Sequence, residues 1–322
     1  MDLRKGAETV VEQCMDIKSG EEVLVLNDGN DQDLIDALLK VLDDLGADYR
    51  LMEYEEPENH GEEPPQEVAE GMKEADAVIA PTLKSLSHTD ARHKANEAGS
   101  RVATMPTVSK KVWNQSLNAD YEKVRALSRR FYSALENVLE VRIETPSGTD
   151  LKLKVDRKYF EKDTGFIRED GDFGNLPAGE ADGGVLDASG VLVIDHFPFA
   201  PEGTEVEIED NRAVAVRHQN KGESELMETF EQFGCARQVA ELGIGTNQEA
   251  TLIGNVLQDE KVKGTVHVAF GDNSSYFPEN HEKRNICDIH WDTICENPTV
   301  WFDGEKVIDE GEILIKSEQH LK

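Results

Sequence analysis

Two apolar runs near the end of the chain carry polar insertions of a kind that binds metals. The first is "GTVHVAF", with His267 between Thr265 and Ala269, and the second is "DIHWD", with His290 and Asp292. Side chains of a strand alternate between its faces. Val266, Val268 and Phe270 therefore share one face, and His267 stands on the other. His290 and Asp292 share a face, with Ile289 and Trp291 behind them. Two imidazoles and a carboxylate anchored on rigid strands make a usable coordination shell. The competing reading is a hydrogen-bonded core histidine and a surface His-x-Asp pair.

Two further carboxylates stand beside glycines. Glu180 follows the Gly/Pro-rich loop "FGNLPAGE", where the backbone can approach a ligand closely. Glu241 precedes the Gly-x-Gly of "AELGIGTN" and is expected at the C-terminal end of a helix, a position where the helix dipole disfavours acid unless a cation is near. Other chemistries find less support. "GIGTN" lacks the third glycine of a dinucleotide fingerprint, and "NDGND" lacks the lysine of a phosphate-binding loop. No nucleophile elbow surrounds Ser274 and Ser275.

The elements that must position these groups fall into two styles. From Glu22, "EVLVLNDGNDQDLIDALLKVLDDLGADYRLMEY" reads as strand, helix and strand, the helix presenting Leu34, Ile35, Leu38, Leu39, Leu42 and Leu45 and stopping at Gly46. "ADAVIAPT", "SHTDARHKANEAG" and "SRVATMPT" repeat the unit, so residues 1–137 are expected to form an α/β domain with a parallel sheet of βαβ type. His88 and Thr89 follow its strand "DAVIAPT", at the end where open α/β sheets bind ligands, and are substrate-binding candidates. Thr89 serves equally as a helix N-cap. From about Leu139 short strands and turns dominate, including the hairpin signal Asp303-Gly304. Residues 138–322 are thus expected to be a mostly β, metal-binding domain, with helices only over Glu223–Leu242 and Asn247–Leu257.

Composition excludes some partners. The 322 residues include 66 acidic and 34 Lys plus Arg, a formal net charge of -32, which repels nucleic acid and anionic lipid. The acid is spread along the whole chain, as on a halophile's surface. "MDLRKGAETVVEQCMDI" has no apolar core of a signal peptide, and no run reaches the length of a membrane span. Cys14, Cys235, Cys287 and Cys295 form no CxxC pair, and no disulfide framework is expected. The chain reads as soluble and cytoplasmic.

Taken in order, "SLSHTDARHKANEAGSRVATMPT", "NLPAGE", "AELGIGTN", "GTVHVAFGDN" and "HWD" resemble the metal-dependent aminopeptidases of the thermophilic aminopeptidase S/T type. That resemblance implies a homodimer acting on small peptides, with zinc or cobalt held by Glu180, Glu241, His267, His290 and Asp292. Glu180 and Glu241 would be its catalytic carboxylates, Glu180 acting as general base toward a metal-activated water. The family's tyrosine falls seven residues after the first histidine, where this chain has Ser274; Tyr276 lies two further on, and both are substrate-binding candidates. A related branch resembles 2,5-dihydroxypyridine dioxygenase, which uses Fe(II), and His267, His290 and Asp292 suit its two-histidine, one-carboxylate set as well. A third possibility is a non-catalytic ligand-binding protein.

Overall fold

The computed structural model describes residues 3–218 and 225–315. Over the described residues the fold is α/β, with one parallel and two antiparallel sheets, and the chain divides into two compact units. The first contains Met1–Arg125, Thr164–Ala178 and Gln248–Thr251, and the second Ala126–Asp163, Gly179–Asn247 and Leu252–Lys322. The change from one to the other falls inside the helix Tyr121–Ala134.

In the first unit the strands Asp48–Glu53, Glu22–Asn27, Ala77–Ala80, Arg101–Thr104 and Phe173–Asn175 lie in that order, all parallel. The helix Gln32–Leu45 begins where the Asp31 side chain accepts from the Asp33 N–H. It ends at Gly46, whose φ of 74° is open to glycine at no steric cost. Its Leu34, Ile35, Leu38, Val41 and Leu42 are buried. Each such side chain contributes about 1.5–3 kcal/mol relative to remaining in water. The helix Asp90–Glu97 is capped in turn by Thr89.

The second unit has two antiparallel sheets. The larger has eight strands and includes the hairpin Thr299–Phe302 and Glu305–Asp309, closed by Asp303 and Gly304, both at positive φ. The smaller one positions the candidate chemistry. Its strands run in the order His290–Cys295, Val266–Gly271, Val239–Gly245, Glu180–Gly184 and Phe160–Asp163.

Three expectations need correction. The helix expected through Leu242 ends at Gln232, and after a short turn the chain extends from Val239 to Gly245. Residues 223 and 224 lie outside the described residues. Glu241 therefore sits inside a strand, and its glycines belong to that strand rather than to a turn. Of the helix expected over Asn247–Leu257 only Val256–Asp259 forms. Finally, Cys235 and Cys287 are joined by a disulfide. Cys14 and Cys295 are buried and form no disulfide among the described residues.

Candidate metal centre

The smaller sheet has one apolar and one chemical face. Ala181, Leu242, Ile244, Val266, Val268 and Phe270 project into the core. Across the strands on the opposite face, Asp182 pairs with Gly243 and Gly243 with His267, while Glu241 pairs with Ala269 and Ala269 with Asp292. Apart from the ionisable groups, the central positions of this face carry glycine and alanine. The reason is steric: a Cβ on Gly243 would lie 2.0 Å from both Cε1 and Nε2 of His267. The imidazole lies flat across the neighbouring strand, and only glycine leaves it room.

Glu241 reaches this face through an irregularity. Val239 pairs with Phe270, but Glu241 pairs with Ala269, a register shift that places one extra residue between them. Strict alternation would have sent Glu241 into the core with Val239. A bulge that re-aims a side chain is what the site requires here.

The donor atoms converge. His267 Nε2 lies 3.1 Å from Glu241 Oε1 and 3.5 Å from Glu180 Oε2. His290 Nε2 lies 3.0 Å from Glu241 Oε2 and 3.4 Å from Asp292 Oδ1. One ligand atom from each of Glu241, His267 and Asp292 lies within 4.8 Å of the others. His290 Nδ1 is 2.8 Å from the Asp272 carbonyl, a contact that places the proton on Nδ1 and turns Nε2 toward the carboxylates. His267 and Glu241 are buried, whereas the His290 side chain keeps 36% of its surface exposed, so the site opens past His290. Glu180 Oε2, Asp182 Oδ1 and His267 Nδ1 are buried without hydrogen-bond partners. Buried carboxylates with unanswered oxygens beside two imidazoles suit a divalent cation.

The sequence model of a family described as NicX, 2,5-dihydroxypyridine 5,6-dioxygenase, matches residues 2–315. The chain belongs to this family. Among solved structures it is similar to 2,5-dihydroxypyridine dioxygenase from Pseudomonas putida KT2440, at 17% identity and a TM-score of 0.79, covering 99% of this chain and 98% of that one. It is also similar to the wild-type AmpT from Thermus thermophilus, at 18% identity and a TM-score of 0.72, covering 97% and 99%. A search of curated proteins returned no match. The family shown is thus the dioxygenase branch, and the likeness to the aminopeptidase that the motifs first suggested is one of fold.

Electrostatically, this NicX-family site is a balance of buried charge. Burial raises Glu180 to about 8, against the attraction of Lys261 and His267. Burial and the neighbouring Glu180 and Glu241 raise Asp182 well above the usual carboxylate range. Glu241 goes the other way: burial opposes its charge, but bonds from His267 and His290 prevail and lower it. Burial opposes a charged His267 too, yet the bond to Glu241 and the pull of Glu180 raise it to about 10.

The remaining candidates divide. Tyr276 reaches the chemical face, its hydroxyl 2.7 Å from Asp182 Oδ2. Ser274 does not: its hydroxyl and its N–H both bind the Asp272 carboxylate, so it shapes the loop. His88 and Thr89 belong to the first unit, where His88 is exposed and Thr89 caps the helix, accepting from Arg92 N and donating to Leu86 O. Sequence reasoning missed Asp182 and Lys261. Asp182 was legible in principle, since in "GEADGG" it lies two residues after Glu180 and so on the same face. Nothing in the acidic and basic run "QDEKVKG" distinguishes Lys261.

Proposed function

We propose that the chain is a mononuclear Fe(II) dioxygenase that opens a hydroxylated aromatic ring of the dihydroxypyridine type, with His267, His290 and Asp292 as the ligands. The observation that carries this reading is the convergence of donor atoms from Glu241, His267 and Asp292 within 4.8 Å of one another, with His290 Nε2 3.0 Å from Glu241 and 3.4 Å from Asp292, in a member of a dioxygenase family. Iron(II) held by these residues would supply the oxygen chemistry.

The chain's own residues would do the rest. The Asp272 carbonyl fixes the His290 ring, and Gly243 gives His267 its place. Glu241 lies against both Nε2 atoms and adds the negative charge that offsets a divalent ion. Glu180, Glu241, His267 and Asp292 are buried and His290 is the exposed member of the group, so a flat ring would enter past His290. Tyr276 holds Asp182 at the rim of the same face.

The second reading, a zinc or cobalt aminopeptidase acting on small peptides, has one specific observation in its favour. Glu180, the extra carboxylate that it requires, also lies 3.5 Å from His267. One experiment separates the two. Protein stripped with a chelator is reloaded with Fe(II), zinc, cobalt or manganese. Oxygen uptake with 2,5-dihydroxypyridine and related rings is then followed beside release of aminoacyl reporters. Iron alone should support oxygen uptake coupled to loss of the ring absorbance. Reporter hydrolysis with zinc or cobalt, and no oxygen uptake with iron, would reverse the assignment.

A further inference from the structure

Lys261 has no part in the reaction proposed above, yet its side chain is only 4% exposed and lies at the edge of the same cluster. Its ammonium contacts Glu180 Oε1 directly, lies 2.8 Å from Glu260 Oε1 and 3.8 Å from Asp163 Oδ2. A lysine is almost never buried unless paired, and this one is met by three carboxylates. Glu180 spans two positions: Oε1 faces Lys261, while Oε2 faces His267. A carboxylate bridging two cations has this arrangement.

The backbone holds the ammonium in place. Asn247 N–H donates to the Lys261 carbonyl at 2.9 Å, and Lys263 N–H donates to Asn247 O at 3.1 Å. The chain comes so close to the strand Val239–Gly245 that a Cβ on Gly245 would lie 2.0 Å from the Val262 carbonyl oxygen and 2.9 Å from the Lys261 carbonyl carbon. The second glycine of "GIG" thus admits the segment that bears Lys261, as the first admits His267.

We propose that the Lys261 ammonium occupies the seat of a second cation, so that the cluster accepts one divalent ion, at Glu241, His267, His290 and Asp292, and not two. The proposal rests on the reading that His267, His290 and Asp292 hold a metal beside Glu241, but not on which reaction the metal supports. Removing the ammonium leaves Asp163, Glu180 and Glu260 facing one another with no cation between them, and a divalent ion held by oxygen donors then has both room and charge to bind.

The test is metal stoichiometry in the full-length protein, stripped with a chelator and titrated with Mn(II), using calorimetry for the count and electron paramagnetic resonance for the coupling. The wild type is expected to bind one ion with an isolated-ion spectrum. Lys261→Met is expected to bind two, with a spectrum of coupled ions. One ion in both proteins would refute the role of Lys261 and leave the metal centre standing. No ion in the wild type would remove the metal centre itself, and this proposal with it. Should Lys261→Met fail to fold, crystals of the wild type in excess Mn(II) decide by anomalous scattering. A single peak beside His267 with Lys261 still on Glu180 supports the proposal, and a second peak next to Glu180 overturns it.

Discussion

Gly243→Ala is the sharpest test of how the site is built. Its methyl group would lie 2.0 Å from His267 Cε1 and Nε2, and ordinary contact begins at 3.4 Å, so ring and strand must separate by about 1.4 Å. Metal ligands tolerate displacements of only about 0.5 Å. Both partners are buried in a paired strand, so neither can yield freely, and overpacking of this kind costs about 1–3 kcal/mol. Loss of ring orientation should weaken metal binding by about 10- to 100-fold. Mn(II) calorimetry and urea denaturation of the metal-free protein measure the two effects separately. Gly234→Ala is the control, because a Cβ there meets nothing within 4 Å. A double-mutant cycle then assigns the cause. In a His267→Ala background the obstructing ring is gone, and the stability penalty of Gly243→Ala should largely vanish. Wild-type Mn(II) affinity in Gly243→Ala, or an undiminished penalty in the double variant, would refute the claim that this glycine exists to seat the imidazole.

Other consequences can be checked independently. In the metal-free protein His267 is raised to about 10, with burial opposed by Glu241 and Glu180, so at neutral pH it carries a proton that a metal ion must displace. Binding should therefore release protons and tighten as pH rises toward 10, and calorimetry in buffers of different ionisation enthalpy should show the release; identical heats after buffer correction would contradict it. Reducing the Cys235–Cys287 disulfide, which joins residues 52 apart, should lower stability by up to about 4 kcal/mol in urea melts with and without reductant. Thr89→Ala should lower stability by about 1 kcal/mol in urea melts through loss of the helix cap, and an unchanged midpoint would argue against the capping role. With a net charge of -32, the melting temperature should climb as KCl is raised toward about 1 M, where the screening length is about 3 Å; a flat profile would mean that repulsion among the surface acids is unimportant.

What sequence can convey about such a site follows from which contacts are local. The helix Gln32–Leu45 was legible because its cap at Asp31, its apolar spacing and its stop at Gly46 all lie within one short segment. His267, His290 and Asp292 were legible for the same reason: alternation within a single strand determines which side chains share a face. The fifth parallel strand, Phe173–Asn175, was not, since only three residues long it pairs with Arg101–Thr104 far earlier in the chain. Glu241 was misplaced because a glutamate followed by Gly-x-Gly looks locally like the end of a helix. Those glycines instead answer contacts with other strands: Gly243 clears His267, and Gly245 clears the backbone at Val262. Likewise the bulge that turns Glu241 out of the core exists only in its pairing with Val266–Gly271. Lys261 is the extreme case. Among the charges of "QDEKVKG" it resembles any surface lysine, and only the approach that Gly245 permits turns it into a buried counter-ion. Glycines two apart in an otherwise apolar strand, next to an acid, therefore carry information about the neighbouring strands rather than about a turn, and they point to where large polar side chains must lie.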